Sequence, residues 1–153
     1  MSKQFELSSK VADRIGELHQ AINEIRNVKT QIQGLHKRFG DDDRLKGALA
    51  AADDLSKKMA AIEEQLIQVN MKGSEGNLAF PNMLNESMYS FSRTIEYADY
   101  GPTQPQTEVF KQLDTRLDEQ LKKWTQLKAE EVPKIAALIR QVELPAISVG
   151  EKP

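Results

Sequence analysis

One apolar stripe runs through the first forty residues, and it limits the fold more than any other feature of the chain. Its members recur at spacings of four and three residues or their sum: Val11, Ile15, Leu18, Ile22, Ile25 and Ile32. That spacing places them on one face of a helix, which must be buried against partner helices. We expect this helix to cover about 8–39, with Ser8 or Ser9 as its N-cap and Gly40 as a left-handed terminator. Its length of roughly 45 Å suits a bundle of nearly parallel helices.

Three further helical blocks follow with the same apolar rhythm. The pattern predicts helices over about 42–69, 82–98 and 106–131, with a short 133–143 extension. The extension starts at Pro133, which lacks a backbone N–H and clashes with the preceding turn. The sequence therefore predicts an all-α fold in one domain, residues 1–153. Its form is an antiparallel up-down four-helix bundle whose last helix is kinked or broken near Pro133.

Composition argues against several classes of partner. The chain has 153 residues, with 21 Lys+Arg against 23 Asp+Glu and a formal net charge of −2. No basic stripe of the kind that binds nucleic acid is present in the sequence. No run approaches the ~20 apolar residues of a transmembrane segment, and the first residues do not resemble a secretory signal. With 0 Cys, disulfides and thiolate chemistry are impossible. We expect neither nucleic acid nor a transmembrane segment.

The two histidines and a run of three aspartates are the residues that most suggest metal binding. His19 and His36 lie on the same predicted helix, and neither has the glutamate three residues earlier that di-iron bundles use. The run 41–43 is better explained as an N-cap followed by first-turn acids, because the helix dipole favours negative charge there. No Gly-x-Ser-x-Gly or phosphate-binding loop occurs. We therefore expect no catalytic residues, no metal and no cofactor.

The aromatic residues are unevenly distributed. Five of the nine lie within 80–100, and a proline-rich connection follows them. Because aromatic side chains anchor interfaces, we predict a partner contact at Tyr97, Tyr100, Pro102 and Pro105. Phe91 and Trp124 fall on apolar stripes, so we expect both in the core.

A series of short motifs follows in order along nearly the whole chain: Phe5-Glu6-Leu7, Val11-Ala12-Asp13-Arg14-Ile15, Ile22-Asn23-Glu24-Ile25-Arg26, Phe80-Pro81-Asn82-Met83-Leu84-Asn85, Met88-Tyr89, Gly101-Pro102-Thr103, Leu117-Asp118 to Trp124, and Leu144-Pro145-Ala146-Ile147. The order of these motifs resembles the C-terminal helical domain of bacterial sortilin-like, BNR-repeat β-propeller proteins. Glu143 departs from that pattern, since the family often has glycine there.

The resemblance implies a non-catalytic accessory or interaction module, excised from a larger exported protein of the periplasm or extracellular space. Its partner would be the β-propeller of the parent protein or another protein surface, and self-association is a further option. A glycosidase-like propeller elsewhere in the parent would give no activity to this domain. The alternative function is a free-standing ligand-binding or enzymatic helical bundle that uses the Tyr97–Pro105 rim.

Overall fold

The computed structural model describes residues 3–69, 83–96 and 103–142. Within these ranges the chain forms four α-helices and one 3-10 turn, and no strand. The helices are α1 (Lys3–Phe39), α2 (Lys46–Leu66), α3 (Leu84–Glu96) and α4 (Gln104–Arg140), and the turn covers Asp43–Leu45. The all-α class and the bundle of helices are confirmed.

The ends of α1 differ from the prediction in two respects. The helix begins at Lys3, so Ser8 and Ser9 lie inside it and neither is its N-cap. It ends at Phe39 as predicted, but Gly40 does not adopt the left-handed backbone conformation that we expected. Glycine is required there for another reason. A Cβ atom at Gly40 would lie 2.5 Å from the carbonyl oxygen of His36, closer than any side chain tolerates.

The last helix continues through Pro133, so of the two predicted alternatives, a kink or a break, the break does not occur and the kink stays a prediction. It begins at a capping box, in which Thr103 accepts from the Gln106 N–H and Gln106 accepts from the Thr103 N–H. Pro133 lies at an exposed position, while Ile135 is buried and Val132 packs on the core. The hydrogen bond that proline cannot make is therefore lost on the solvent side. Burial of the flanking apolar residues keeps both halves in one helix of 37 residues.

Polar pairs between helices show that α1 and α2 run in opposite directions. Arg26 on α1 pairs with Glu63 on α2 at 2.8 Å, and ten residues later His36 pairs with Asp53 at 2.6 Å. As the number rises on α1 it falls on α2, which is the predicted antiparallel arrangement.

In the pairs between α1 and α4 the residue numbers of both helices rise together, so these two helices are parallel. Arg14 pairs with Asp114, and Glu24 accepts hydrogen bonds from Trp124 and Lys128. Strict up-down alternation of four helices would make the first and last helices antiparallel. The arrangement therefore differs from the predicted up-down order.

The difference arises because α2 and α3 follow one another along a single column. His19, about two turns before Arg26 on α1, contacts Asn85 at the start of α3. Farther along α3, Phe91 stacks on Phe110 near the start of α4. Both short helices pack on α1 and α4, whereas they contact one another little. Their 21 and 13 residues together nearly match the 37 of each long helix. The bundle thus has three columns built from four helices.

A buried carboxylate joins the two short helices. Glu86, in the first turn of α3, accepts hydrogen bonds at 3.0 Å from the backbone N–H groups of Gln68 and Met83. Its second oxygen accepts from the side-chain amide of Asn85 at 2.8 Å. Because Gln68 follows the end of α2 and Met83 precedes α3, one side chain holds both ends of the joint together.

One core extends along the three columns. Phe91 and Trp124 are buried, as predicted. A smaller cluster around Leu45, Ala48 and Leu49 closes the end where α2 begins. Each helix contributes large, fully buried side chains to the main core, among them Leu18 and Ile25 of α1, Met59 and Leu66 of α2, Met88 and Ile95 of α3, and Leu117 and Trp124 of α4.

Candidate functional site

Most of the predicted partner contact lies outside the described residues. Tyr97, Tyr100 and Pro102 fall between 97 and 102, which the structure does not describe. Pro105 is described, and it is exposed in the first turn of α4, where proline is well tolerated. The structure therefore places one of these four residues at the surface and leaves the proposed contact untested.

The histidines belong to contacts between helices. His19 shares a 2.8 Å hydrogen bond with Asn85 and makes an edge contact with Tyr89, whose ring centroid is 5.8 Å away. His36 lies 2.6 Å from Asp53. In the part of the chain that the structure describes, no group of three or more His, Cys, Asp or Glu side chains has the arrangement that holds a metal ion.

The run of aspartates caps the 3-10 turn that leads into α2, as predicted. Asp42 accepts from the Arg44 backbone N–H at 3.0 Å and pairs with the Arg44 guanidinium at 2.8 Å. This ion pair raises the pKa of Arg44. The negative charge of Asp42 is thus already matched within the turn.

Within the described residues a concave surface lies between α2 and α4, and we call it the α2–α4 groove. Its volume is about 700 Å³, within the range of ligand-binding clefts. Residues of both helices line it: Lys58, Ala61, Ile62 and Gln65 of α2, and Gln120, Lys123, Gln126, Leu127, Glu130 and Glu131 of α4.

The groove combines an apolar strip with amide side chains. Ile62 is buried and Leu127 packs partly on the core, so the two helices supply an apolar base. Gln120 is only 9% exposed, while Gln65 and Gln126 are exposed. Each glutamine amide both donates and accepts hydrogen bonds, which matches the requirements of a polypeptide backbone.

An ion pair marks one end of the groove. Lys58 lies 2.5 Å from Glu131 and 3.2 Å from Asp54, and hydrogen bonds to these carboxylates, first to Glu131, raise the pKa of Lys58. The other carboxylate oxygen of Glu131 is buried and accepts no hydrogen bond from the described residues. The groove thus carries both charge signs at this end.

Sequence reasoning did not identify this groove, although one position indicated it. Gln120 falls on the apolar stripe of α4, between Leu117 and Trp124, at a spacing that otherwise holds only core residues. A polar side chain on a core face suggests a functional or hydrated site. The remaining lining residues have the composition of an ordinary helix surface.

None of the helices in the described residues combines the length and the apolar character that crossing a membrane demands. Comparison of the chain with protein-family models, curated proteins and solved structures gives no match.

Proposed function

We propose that this chain is a non-catalytic helical module that binds a segment of a partner protein in the α2–α4 groove. The observation that supports it best is the position of Gln120, a largely buried polar residue that lines the groove together with the apolar strip of Ile62 and Leu127. Such a strip takes apolar side chains, and the amide offers hydrogen bonds to the backbone that carries them.

The dimensions of the groove favour a short peptide segment. The lining residues of α4 run from Gln120 to Glu131, which corresponds to roughly 16 Å along the helix axis. An extended segment of about five residues covers that distance. Lys123 and Glu130 supply opposite charges along it, so the partner segment should be mixed in charge rather than strongly acidic or basic.

The resemblance set out above supports a more specific form of the proposal. In that form the partner is a β-propeller in the same exported polypeptide, and the groove receives one of the propeller's surface loops. An antibody against this domain tests whether the domain is part of a larger exported protein. A band several times heavier than 17.3 kDa in the periplasmic or secreted fraction is the expected result. A 17.3 kDa band in the cytoplasm would contradict it.

A matched pair of variants tests the groove itself. Ala61→Arg fills the groove, and Ala50→Arg makes the same change at an exposed position of the same helix. With the recombinant propeller as the probe in calorimetry, we expect Ala61→Arg to weaken binding at least about tenfold, because the added side chain occupies the partner's place. Ala50→Arg should leave the affinity unchanged. Equal affinities for the two variants would exclude the groove.

The volume of the groove also favours a second candidate, a free-standing bundle that binds a small molecule. A cleft of about 700 Å³ is large enough for a drug-sized ligand. A screen of small molecules by thermal shift distinguishes the two: a ligand that stabilises the wild type but not Ala61→Arg supports the small-molecule function.

A further inference from the structure

The outward side of α1 is unusually free of charge for this chain, in which 29% of residues are charged. We call this side the α1 outer face and define it by Gly16, Gln20, Asn23, Asn27, Thr30 and Gly34. Five of the six are exposed and Gly34 is half-buried. Hydrogen bonds of this face stay within α1, where Gln31 donates to Asn27 and Thr30 donates to the Arg26 carbonyl.

The two glycines of this face weaken α1 and serve no evident purpose inside the described bundle. Each destabilises a helix interior relative to alanine. A Cβ atom at either position would meet nothing within 4 Å, so no neighbouring element requires the missing side chain. At 3.6 residues per turn, the 18 residues from Gly16 to Gly34 make five complete turns, so both glycines face the same way about 27 Å apart.

The pattern along the outer face is symmetric about Ile25. Gly16 and Gly34 are equally far from this midpoint, and so are Asn23 and Asn27. A two-fold axis at that level would place a second α1 antiparallel to the first. Each glycine would then lie opposite a glycine, and each asparagine opposite an asparagine, which is the self-complementarity that a two-fold interface requires.

Charges at the two ends of the face fit the same symmetry. Asp13 and Lys37 are also equally far from the midpoint, on either side of it, and Lys37 is exposed, as is Asp13. The two-fold axis brings the acid of one chain to the level of the base of the other, twice. Opposite charges at both ends fix the register, and the uncharged centre avoids repulsion between like charges.

We propose that the α1 outer face binds the same face of a second copy of this chain, with the two α1 helices antiparallel. The glycines allow the two backbones to approach closely, and the asparagine amides donate and accept across the axis. The α2–α4 groove takes no part, so the pairing is compatible with the proposed partner binding.

The experiment measures molecular mass by sedimentation equilibrium at low salt, up to a chain concentration of about 1 mM, the weak end of specific affinities. The wild type should approach twice the 17.3 kDa of one chain. The Asn23→Lys/Asn27→Lys variant places like charges across the axis and should dimerise at least about a hundredfold more weakly. The control makes the same additions on α4, as Gln112→Lys/Thr115→Lys at exposed positions, and should dimerise like the wild type.

Two further measurements keep a folding defect separate from lost pairing. Mixing the lysine variant with an Asn23→Glu/Asn27→Glu variant should restore a dimer. Gly16→Ala/Gly34→Ala should raise the folding equilibrium constant of the monomer about fivefold per site while it weakens the dimer. A wild type that stays monomeric throughout overturns the proposal. So does a lysine variant that dimerises as well as the wild type, because the pairing then uses another surface.

Discussion

Helix α4 packs against α1 on one side and against α2 on the other, and these two sides differ. On the α1 side, Arg14 and Glu24 each bridge two α4 side chains one turn apart, and α4 is in register with α1 over this stretch. On the α2 side, a single ion pair among the described residues, Lys58–Glu131, joins the helices, and a groove opens beside it. We call these sides the α1–α4 seam and the α2–α4 groove.

Residues of the α1–α4 seam set the architecture, whereas residues of the α2–α4 groove are available for binding. Seam residues such as Trp124 satisfy their polar groups inside the bundle, so they have little capacity left for a partner. Groove residues such as Gln65 and Gln126 are exposed, so a partner can reach their amide groups. Changes in the seam should therefore alter stability, whereas changes in the groove should alter binding.

Removal of the indole at the centre of the seam should have the largest effect. Trp124 is 2% exposed, and its Nε1–H donates to Glu24 at 2.9 Å. Trp124→Ala leaves a cavity and should lower the free energy of unfolding by about 3–5 kcal/mol, measured by urea denaturation. Trp124→Phe keeps most of the volume and should cost about half as much or less. Equal losses would mean that the hydrogen bond dominates over packing.

A smaller loss should follow from opening the joint between α2 and α3. Glu86→Ala removes the acceptor of three hydrogen bonds in a buried position, at a cost of about 2–3 kcal/mol. Hydrogen exchange should show protection lost in α3 before it is lost in α1 or α4. The matched control Glu64→Ala, at an exposed position of α2, should change stability by less than about 0.5 kcal/mol. Uniform loss of protection would contradict a local joint.

The smallest expected change in the free energy of unfolding comes from the charge of Glu24 in the α1–α4 seam. Hydrogen bonds from Lys128 and then Trp124 lower the pKa of Glu24 below its usual 4.5. The folded state therefore binds this proton more weakly than the unfolded state. The stabilisation is present above pH 4.5 and is lost as the pH falls through the lowered pKa of the folded state.

Comparison of the wild type with Glu24→Gln measures this contribution. Near neutral pH the variant should be less stable by no more than about 1 kcal/mol, because Glu24 is about a third exposed and Lys128 somewhat more. Denaturant titrations at a series of pH values should show the two proteins converging in acid. A difference that grows as the pH falls would reverse the sign and contradict the ion pair.

The sequence predicted the helices well and their arrangement poorly, for a physical reason. Stripes such as Leu18–Ile25 report which face is buried, and burial does not depend on the direction of the neighbouring helix. Direction is encoded in pairs such as Arg14–Asp114, which lie 100 residues apart and cannot be recognised in one sequence. Pro133 by itself suggests a break in the last helix, because the sequence does not show that this proline is exposed, where the missing hydrogen bond faces solvent.

The candidate site was still less predictable. The aromatic cluster drew the prediction to Tyr97 and Tyr100, since aromatic side chains stand out in a chain with few of them. The groove depends instead on the distance between α2 and α4, which no local pattern records. For the groove, the indication in the sequence is Gln120. For the joint between α2 and α3 it is Glu86, because a glutamate in the first turn often caps its own helix.

The parallel seam is the claim on which the three-column arrangement and the groove both depend. Because the chain has 0 Cys, two spin labels can be introduced cleanly at exposed positions. We would measure the distance from residue 13 to residue 115, and from residue 13 to residue 134, by pulsed electron resonance. Parallel helices predict that the Asp13–Thr115 distance is shorter by roughly 15 Å or more. A shorter Asp13–Lys134 distance would show antiparallel helices and contradict the account.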